Sequence, residues 1–479
     1  MYKLLSFFLI FGLVACRVGN ETQIPDFIPE KDVQQTLNLS KQNNKPLNTL
    51  SDIFHNKDLN TLLTLAYTNN LDIKQGVERL QQSRYAFLIN SSQTLPMLDA
   101  KGSYDFSKAN NSRDIMLKSN TFKVGFDASW ELDIWGKGYY ISRQYFELMK
   151  NAEYSLFNLH VSLFAEVAQD YFNLLKSLEL LRITKQNLRL QNDILQIVRD
   201  KHKSGVADDL ALNQAEFRVA QTKSLLPPLE FQIENYKNSL AVLLNILPDK
   251  LPISFNSKHQ RLVSTPFKYS VKNLYNLPLS VLRSRPDVMM TEALLRSKSA
   301  ALNVAITNLY PSISLSAAFS YLSNSGTALL QTDNQYYGYS VNILQPIWHW
   351  RQLVNNIELQ KHIQQEYLYQ YNEVLLTALI EIKNAIINID KTYQTSMRLR
   401  QAENKMSQIF LLTLEKYKNG LIDFTDVAEA EENFLSAQNK VVSSNTDVLL
   451  ALTSFYKAIG GEYCDITSDK YHYPTEHPD

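Results

Sequence analysis

The sequence predicts an α+β membrane protein built as a tandem repeat, each half combining a β-hairpin with long α-helices. Three observations predict this fold class. The two halves of the chain align on each other at a nearly constant offset. Each half contains two stretches in which polar and apolar residues alternate. Each half also contains one long run, 139–203 or 351–418, that lacks both glycine and proline and is therefore typical of a long helix.

Composition excludes several functional classes. Of the 479 residues, 45% are hydrophobic and 20% are charged, which is not the composition of a disordered chain. The 48 basic and 48 acidic side chains balance, so no basic surplus is available to neutralise the phosphates of a nucleic acid. Only 13 glycines and 15 prolines are present, which favours long uninterrupted elements.

The first predicted element is a signal peptide over residues 1–15. Its apolar stretch, Leu4–Ala15, is too short to span a bilayer. The stretch ends in Leu-Val-Ala followed by Cys16, which is typical of a bacterial lipobox and predicts cleavage before Cys16 and covalent lipid on it. The alternative is an ordinary signal peptide followed by a chance cysteine. The second cysteine, Cys464, would then have no partner, so no disulfide framework is predicted.

The repeat is visible as pairs of matching residues. Pairs at an offset of 215 include Asp72 with Asp287, Pro96 with Pro311, Gly205 with Gly420 and Glu216 with Glu431. Between these pairs, Gly125 and Trp135 align with Gly338 and Trp348 at an offset of 213. The second repeat is therefore two residues shorter before this stretch and two residues longer after it, which restores the offset of 215. The persistent alignment of the two halves predicts a tandem duplication.

Each half has the same predicted order of elements. In the first half we predict helices over about 60–95, 138–203 and 208–247 and strands over about 97–106 and 121–133. In the second half we predict helices over about 287–310, 351–418 and 424–460 and strands over about 312–321 and 336–345. Pro96 and Pro311 end the first helix of each half, and Gly205 and Gly420 mark the turn between the long helix and the returning helix.

The strict alternation gives every predicted strand one apolar and one polar face. Such strands could form an antiparallel sheet on a soluble core, or hairpins that cross an outer membrane. The export signal favours the membrane. Two hairpins supply four strands, which cannot close a barrel, so the chain would have to oligomerise, and only a trimer or a larger oligomer would leave a useful pore.

Several motifs recur in a known family. They are Cys16-Arg17-Val18-Gly19, Ser129-Trp130-Glu131-Leu132-Asp133-Ile134-Trp135-Gly136-Lys137, Arg285-Pro286-Asp287-Val288 and Tyr310-Pro311-Ser312-Ile313-Ser314-Leu315. In these motifs the chain resembles the outer-membrane efflux lipoproteins of the TolC superfamily, the NodT-type, OprM- and CusC-like channels of tripartite efflux systems. The resemblance covers essentially the whole mature chain. It departs at Asn245, where the family has glycine, and over Pro346–Arg351.

The resemblance implies a homotrimer with a twelve-stranded β-barrel, a twelve-helix periplasmic tunnel and a mixed equatorial collar. The segments would be a lipidated collar segment 16–58, repeats 59–253 and 286–460, a collar linker 254–285 and a tail 461–479. The implied function is passive export in the outer membrane, with a periplasmic adaptor and an inner-membrane pump as partners. The alternatives are a lipid-anchored periplasmic coiled-coil scaffold and a type I protein-secretion outlet.

The resemblance also places candidate sites at the helix-turn tips. Gly205 and Gly420 would lie where adaptor tips dock, and four nearby carboxylates are candidates for the periplasmic gate: Asp208, Asp209, Asp423 and Asp426. The alternative is that these are helix N-caps, for which aspartate is favoured. The sequence contains no catalytic or metal-binding motif, so we predict no enzyme, no metal and no cofactor beyond the lipid on Cys16.

Overall fold

The computed structural model describes residues 18, 54, 56–110, 116–252 and 280–461. The helices are α1 (Lys57–Asn69), α2 (Leu71–Ser92), α3 (Lys137–Lys203), α4 (Asp209–Ser224), α5 (Leu226–Leu243), α6 (Ser280–Arg283), α7 (Pro286–Thr307), α8 (Trp350–Lys418) and α9 (Phe424–Ala458). The strands are β1 (Met97–Asn110), β2 (Met116–Glu131), β3 (Ser312–Ser323) and β4 (Gln335–Leu344). The predicted signal peptide, Cys16, Cys464 and most of the two collar segments and the tail lie outside the described residues.

The first predicted helix, 60–95, is wrong as a single element, because the structure divides it at Asn70 between α1 and α2. Asn70 has an extended backbone, with φ −57° and ψ 134°. Its side-chain oxygen accepts hydrogen bonds from the amides of Asp72 and Ile73 at 2.9 and 3.0 Å. Asn70 thus ends one helix and caps the next, which the hydrophobic period alone does not reveal.

The predicted helix 208–247 is likewise two helices, α4 and α5, which meet at Leu225. Pro227 and Pro228 follow this junction and lack the amide that a continuous helix would need, so they lie in the first turn of α5 instead. The helix ends at Leu243 because Asn245 adopts a positive φ of 51°. Asn tolerates this left-handed conformation better than any residue except glycine, which explains the departure from the family pattern at this position.

The four strands form one antiparallel sheet in the order β1-β2-β3-β4. Each hairpin belongs to one repeat, and β2 of the first repeat pairs with β3 of the second, with Phe126 opposite Phe319. Gly125 lies opposite Ser320 at this junction, and a side chain there would meet the carbonyl oxygen of Phe319 at 2.2 Å. The predicted α+β tandem-repeat fold is therefore confirmed, although β1 and β2 extend further into the hairpin loop than the predicted strands.

The described residues divide into two compact units, and each unit draws on both repeats. Unit 1 holds 78–153 and 290–373 and therefore the whole sheet, and Tyr140, Leu295 and Ala300 are among its buried residues. Unit 2 holds the helical stretches up to residue 77, 154–289 and from residue 374 onward. Its core includes the fully buried Tyr171, Phe172, Leu174, Phe455 and Tyr456.

No helix in the described part of the chain combines the length and the hydropathy that a membrane-spanning helix needs.

Candidate functional site

The sheet of unit 1 has an apolar face that is exposed in the single chain. Its most exposed members are Leu98, Phe106, Tyr337, Tyr339, Val341 and Ile343, with exposed fractions from 57% to 90%. They alternate along β1 and β4 as the sequence pattern predicts. A contiguous apolar patch of aromatic and aliphatic side chains on this scale is typical of a membrane-facing or protein-facing surface.

The opposite face of the sheet is polar. Lys101 on β1 and Asp127 on β2 form an ion pair with a nitrogen–oxygen distance of 2.9 Å. Asp99, Ser103, Lys123 and Ser129 share the same alternation phase on these two strands. The hairpins therefore separate an apolar face from a wettable one, which is the arrangement that a lipid-facing and water-facing strand requires.

Unit 2 holds the two helix-turn tips, and both have the same backbone geometry. Gly205 and Gly420 have φ of +70° and +73°. At each tip the amide after the glycine donates to a carbonyl five residues back: Val206 to Lys201 at 2.8 Å and Leu421 to Lys416 at 3.0 Å. The glycine amides complete the motif by donating three residues back. These are Schellman turns, in which glycine at the left-handed position avoids steric strain.

The four predicted gate carboxylates lie immediately after these turns, and all four side chains are exposed. Asp208 occupies the N-cap position of α4 and accepts a hydrogen bond from the amide of Ala211 at 2.9 Å. Asp209 lies 2.8 Å from the imidazole Nε2 of His202. Asp423 occupies the N-cap position of α9 but its side chain accepts no capping hydrogen bond. Asp426 lies in the first turn of α9. The capping alternative therefore describes Asp208 but not Asp423.

A cation links the two tips. The ammonium of Lys201, near the end of α3, donates to the carbonyl of Tyr417 at 2.5 Å and lies 4.1 Å from the centroid of the Tyr417 ring. Burial raises the pKa of Tyr417, and the nearby Asp208 carboxylate raises it further. Lys201 thus adds a second, charged donor to a carbonyl at the C-terminal end of α8 that also accepts from the Gly420 amide, and a positive charge there is favoured by the helix dipole.

A shared hydrophobic core supports the tips. Val198 and Ala215 from the first repeat pack with Phe410, Phe424 and Val427 from the second. The apolar residues at the turns themselves remain outside this core, since Val206, Leu210 and Leu421 are 71%, 61% and 71% exposed. The tips therefore present apolar and acidic side chains together, on a scaffold that long-range packing holds in place.

A second cluster of unit 2 contains the Arg-Pro-Asp motif at the start of α7. The Arg285 guanidinium is nearly buried and contacts Asp287 at 2.6 Å and Glu381 at 2.7 Å. It also donates to the carbonyl of Ala458, the last residue of α9, at 2.7 Å. Burial alone would lower the pKa of Arg285, but the two carboxylates hold it above its ordinary value. This motif acts as a structural clamp between helix ends.

One buried acid was not singled out as a site by the sequence. Glu431 on α9 is 2% exposed, and one of its carboxylate oxygens has no hydrogen-bond partner. Burial raises its pKa to about 7, although Gln191 and Arg218 act in the opposite direction. Aligning the two repeats does indicate that Glu431 differs from its counterpart. The aligned Glu216 pairs with Arg199 at 2.8 Å, whereas the residue aligned with Arg199 is Leu414.

Among the described residues, no three histidine, cysteine, aspartate or glutamate side chains lie close enough together to hold a metal ion. The absence of a metal or cofactor remains a prediction, as does lipid on Cys16.

The chain is similar to known proteins in both sequence and fold. A sequence model of the family described as "Outer membrane efflux protein" matches residues 62–245 and 277–461, two segments that begin 215 residues apart. The pyoverdine export outer membrane protein OpmQ of Pseudomonas aeruginosa is 27% identical over 84% of this chain and 85% of its own. The cation efflux system protein CusC of Escherichia coli is 24% identical over 96% of this chain and 98% of its own. The solved outer-membrane channel OprN superimposes with a TM-score of 0.86 at 22% identity, covering 94% of this chain and 100% of its own.

Proposed function

Because the chain belongs to the Outer membrane efflux protein family, we propose that it is the passive outer-membrane channel of a tripartite efflux system. It would conduct substrates delivered by an inner-membrane pump through a periplasmic adaptor. The observation that carries the proposal is the sheet of unit 1, with an exposed apolar face, a polar opposite face and two open edges. Such a sheet is suited to lipid on one side and water on the other.

The channel would be a homotrimer. Four strands cannot enclose a pore, and an open sheet edge is not tolerated in the hydrocarbon region. Three copies supply twelve strands, which is enough for a water-filled barrel. The helices of unit 2 would then line the periplasmic tunnel.

We propose that Cys16 carries covalent lipid and anchors the chain to the outer membrane. The lipobox at the end of the predicted signal peptide supports this. Labelled palmitate should be incorporated into the wild-type chain and lost from Cys16→Ala. Labelling that survives this substitution would contradict the anchor, and Cys464→Ser is the matched control that should keep the label.

The tips of unit 2 would serve both docking and gating. The exposed Val206 and Leu421 next to Gly205 and Gly420 would contact the adaptor, because exposed apolar side chains at a rigid turn are suited to a helical partner. Asp423 and Asp426 would lie near the constriction of the closed trimer, where like charges repel each other and attract cations.

A conductance measurement tests the gate. Asp423→Asn and Asp426→Asn remove the charge while nearly keeping the size of the side chain, and neither carboxylate is a hydrogen-bonded helix cap, so the effect of charge is isolated. We expect altered conductance and weaker block by cations in these variants. Asp208→Asn is the comparison variant, because Asp208 is also a gate candidate but already caps α4, and we expect a smaller effect there. Unchanged conductance and unchanged cation block in both test variants would overturn the gate assignment.

The relatives are named for different cargoes, pyoverdine and cations. We infer that the tunnel itself does not select one chemical class and that the pump determines the substrate. We also infer that the chain has no catalytic activity of its own, since its sequence lacks catalytic and phosphate-binding motifs.

Membrane fractionation combined with electrophoresis tests the proposed function. The protein should fractionate with the outer membrane and migrate in SDS as a trimer that heating converts to monomer. A chain that stays monomeric and needs no detergent would contradict the channel and favour the periplasmic scaffold.

A further inference from the structure

Trp135, which follows β2, packs against Tyr310 and Pro311 of the second repeat, and these two residues form its seat. Its ring stacks on Tyr310 with a centroid distance of 5.1 Å and an interplanar angle of 29°. Its indole Nε1 donates a hydrogen bond to the carbonyl oxygen of Pro311 at 2.7 Å. The seat therefore satisfies both the apolar ring and the polar N–H of the tryptophan.

The second repeat contains the same tryptophan without its seat. Trp348 aligns with Trp135 and follows β4, yet it is 98% exposed, and the preceding Ile347 is 80% exposed. The positions that align with Tyr310 and Pro311 are Leu95 and Pro96, and both are exposed. The single chain therefore exposes Trp348, which has no seat, and Leu95 and Pro96, which align with a seat but contact no tryptophan at the equivalent position.

The sheet order explains why one copy cannot bring them together. Leu95 and Pro96 precede β1, and Trp348 follows β4. In the order β1-β2-β3-β4 these are the two edge strands, at opposite sides of the sheet. A second copy can supply the missing half of the contact at each edge, and it would also pair the open edges.

The repeat fixes the register of that pairing. In the chain β2 pairs with β3 so that Phe126 lies opposite Phe319. The residue that aligns with Phe126 is Tyr339 on β4, and the residue that aligns with Phe319 is Tyr104 on β1. An edge-to-edge contact that repeats the β2–β3 register therefore places Tyr339 opposite Tyr104 and Ile343 opposite Ala100.

Two further features fit this register. It sets the exposed apolar residues of β1 and β4 on the same face, whereas a slip by one residue would place apolar against polar side chains. It also gives a reason for Gly338. The aligned Gly125 is needed because the β3 backbone approaches closely, but the nearest atoms to a side chain at Gly338 belong only to Tyr336. The close neighbour of Gly338 would come from the second copy.

We propose that Trp348 of one copy seats on Leu95 and Pro96 of the next, with β4 and β1 paired so that Tyr339 lies opposite Tyr104. The indole of Trp348 donates to the partner's Pro96 carbonyl as Trp135 does to Pro311. The seat at Leu95 is incomplete without the partner's residue. This inference rests on the proposed trimer and adds the residues and the register of its subunit contact.

Cysteine cross-linking tests the register in the full-length protein carrying Cys464→Ser. The variant Tyr104→Cys/Tyr339→Cys should form disulfide-linked dimers and trimers on oxidation, because opposing strand positions are within disulfide reach. The control Ala100→Cys/Tyr339→Cys places the two cysteines four residues out of register and should stay uncross-linked. Cross-linking of the control pair alone, or of neither pair in a chain that still runs as a heat-modifiable trimer, would overturn the register.

Trp348→Ala and Trp350→Ala test the seat. Trp350 is 46% exposed and begins α8, so it is a matched tryptophan outside the proposed contact. We expect Trp348→Ala to lose most of its SDS-resistant trimer at a temperature at which Trp350→Ala and wild type keep theirs, and Trp348→Phe to be intermediate. Equal trimer stability of the two alanine variants would overturn the seat. If wild type itself forms no trimer, the proposed function fails first, and that result is distinguishable from a wrong contact.

Discussion

Residues with a positive backbone φ mark equivalent helix ends in the two repeats. Gly205 and Gly420 end the long helices, and Asn245 and Gly460 end the returning helices, each pair separated by 215 positions. At Asn245 the amide of Ile246 donates to Ala241 at 3.0 Å, so the Schellman geometry survives the replacement of glycine by asparagine. Local backbone chemistry therefore determines where these helices stop.

Alanine at the tip glycines should destabilise the protein. No atom lies within 4 Å of a side chain at Gly205 or Gly420, so the cost comes from the positive φ alone. Each substitution should lower the free energy of unfolding by about 1–2 kcal/mol, measured by thermal unfolding in detergent. Gly420→Asn should cost less than Gly420→Ala, as Asn245 indicates. Gly326→Ala, at a glycine with an ordinary φ, is the control and should be nearly neutral.

The two repeats also differ at single residues. Glu216 is about half-exposed and paired with Arg199, whereas the aligned Glu431 is buried and the residue aligned with Arg199 is Leu414. A buried carboxyl whose pKa is raised binds a proton more tightly in the folded than in the unfolded state. Its contribution to the free energy of unfolding is therefore present at low pH and is lost as the pH rises from 4.5 through about 7.

Raising the pH should weaken the fold through Glu431. The raised pKa of Glu431 corresponds to a loss of about 3 kcal/mol in the free energy of unfolding between pH 4.5 and pH 8. The thermal midpoint of wild type should fall between pH 5.5 and pH 8, and Glu431→Gln should reduce that fall because glutamine stays neutral. Glu216→Gln is the matched control and should retain the wild-type pH dependence. An unchanged pH dependence in Glu431→Gln would refute the assignment.

At the scale of elements, one polar side chain in each repeat ties the start of a helix to the end of another. The side-chain amide of Asn70 donates to the carbonyl oxygen of Leu243 at 2.9 Å. The Arg285 guanidinium donates to the carbonyl oxygen of Ala458 at 2.7 Å. Both the donors and the acceptors are separated by 215 positions. The duplication has thus retained a contact while changing the residue that makes it.

Removing Arg285 should open this cluster. Arg285→Ala would leave the Ala458 carbonyl unpaired and Asp287 and Glu381 without their cation, at a cost of about 3–5 kcal/mol. Chemical denaturation should therefore show a large loss of stability. Lys361→Ala removes an exposed pair with Glu358 and should cost much less than that. Similar losses in both variants would contradict the clamp role.

The sequence was sufficient for elements with a strong local signal. The alternating residues predicted four strands, and the runs without glycine and proline predicted α3 and α8. The helix break at Asn70 was missed because its capping bonds do not alter the hydrophobic period. The tips were predicted from Gly205 and Gly420, but the Lys201–Tyr417 link was not, because it joins residues that only the tertiary fold brings together.

At the scale of the whole molecule, the chain is an outer-membrane efflux channel protein whose fold leaves contacts unmet. The exposed apolar strand face, the two open sheet edges and the exposed Trp348 all belong to the unit that contains the sheet. Each would gain a partner in the proposed oligomer embedded in lipid. Counting strands in the sequence was enough to predict an oligomer, but the register proposed for its contacts could be derived only from the β2–β3 pairing of the structure.

The channel itself is tested most directly by the electrical conductance of the purified protein in a planar lipid bilayer. We expect wild type to give discrete conductance steps, and a variant lacking residues 98–132, the first hairpin, to give none while its helices still fold by circular dichroism. Absence of any conductance from a wild-type protein that is correctly folded and inserted, or equal conductance from the hairpin deletion, would contradict the account.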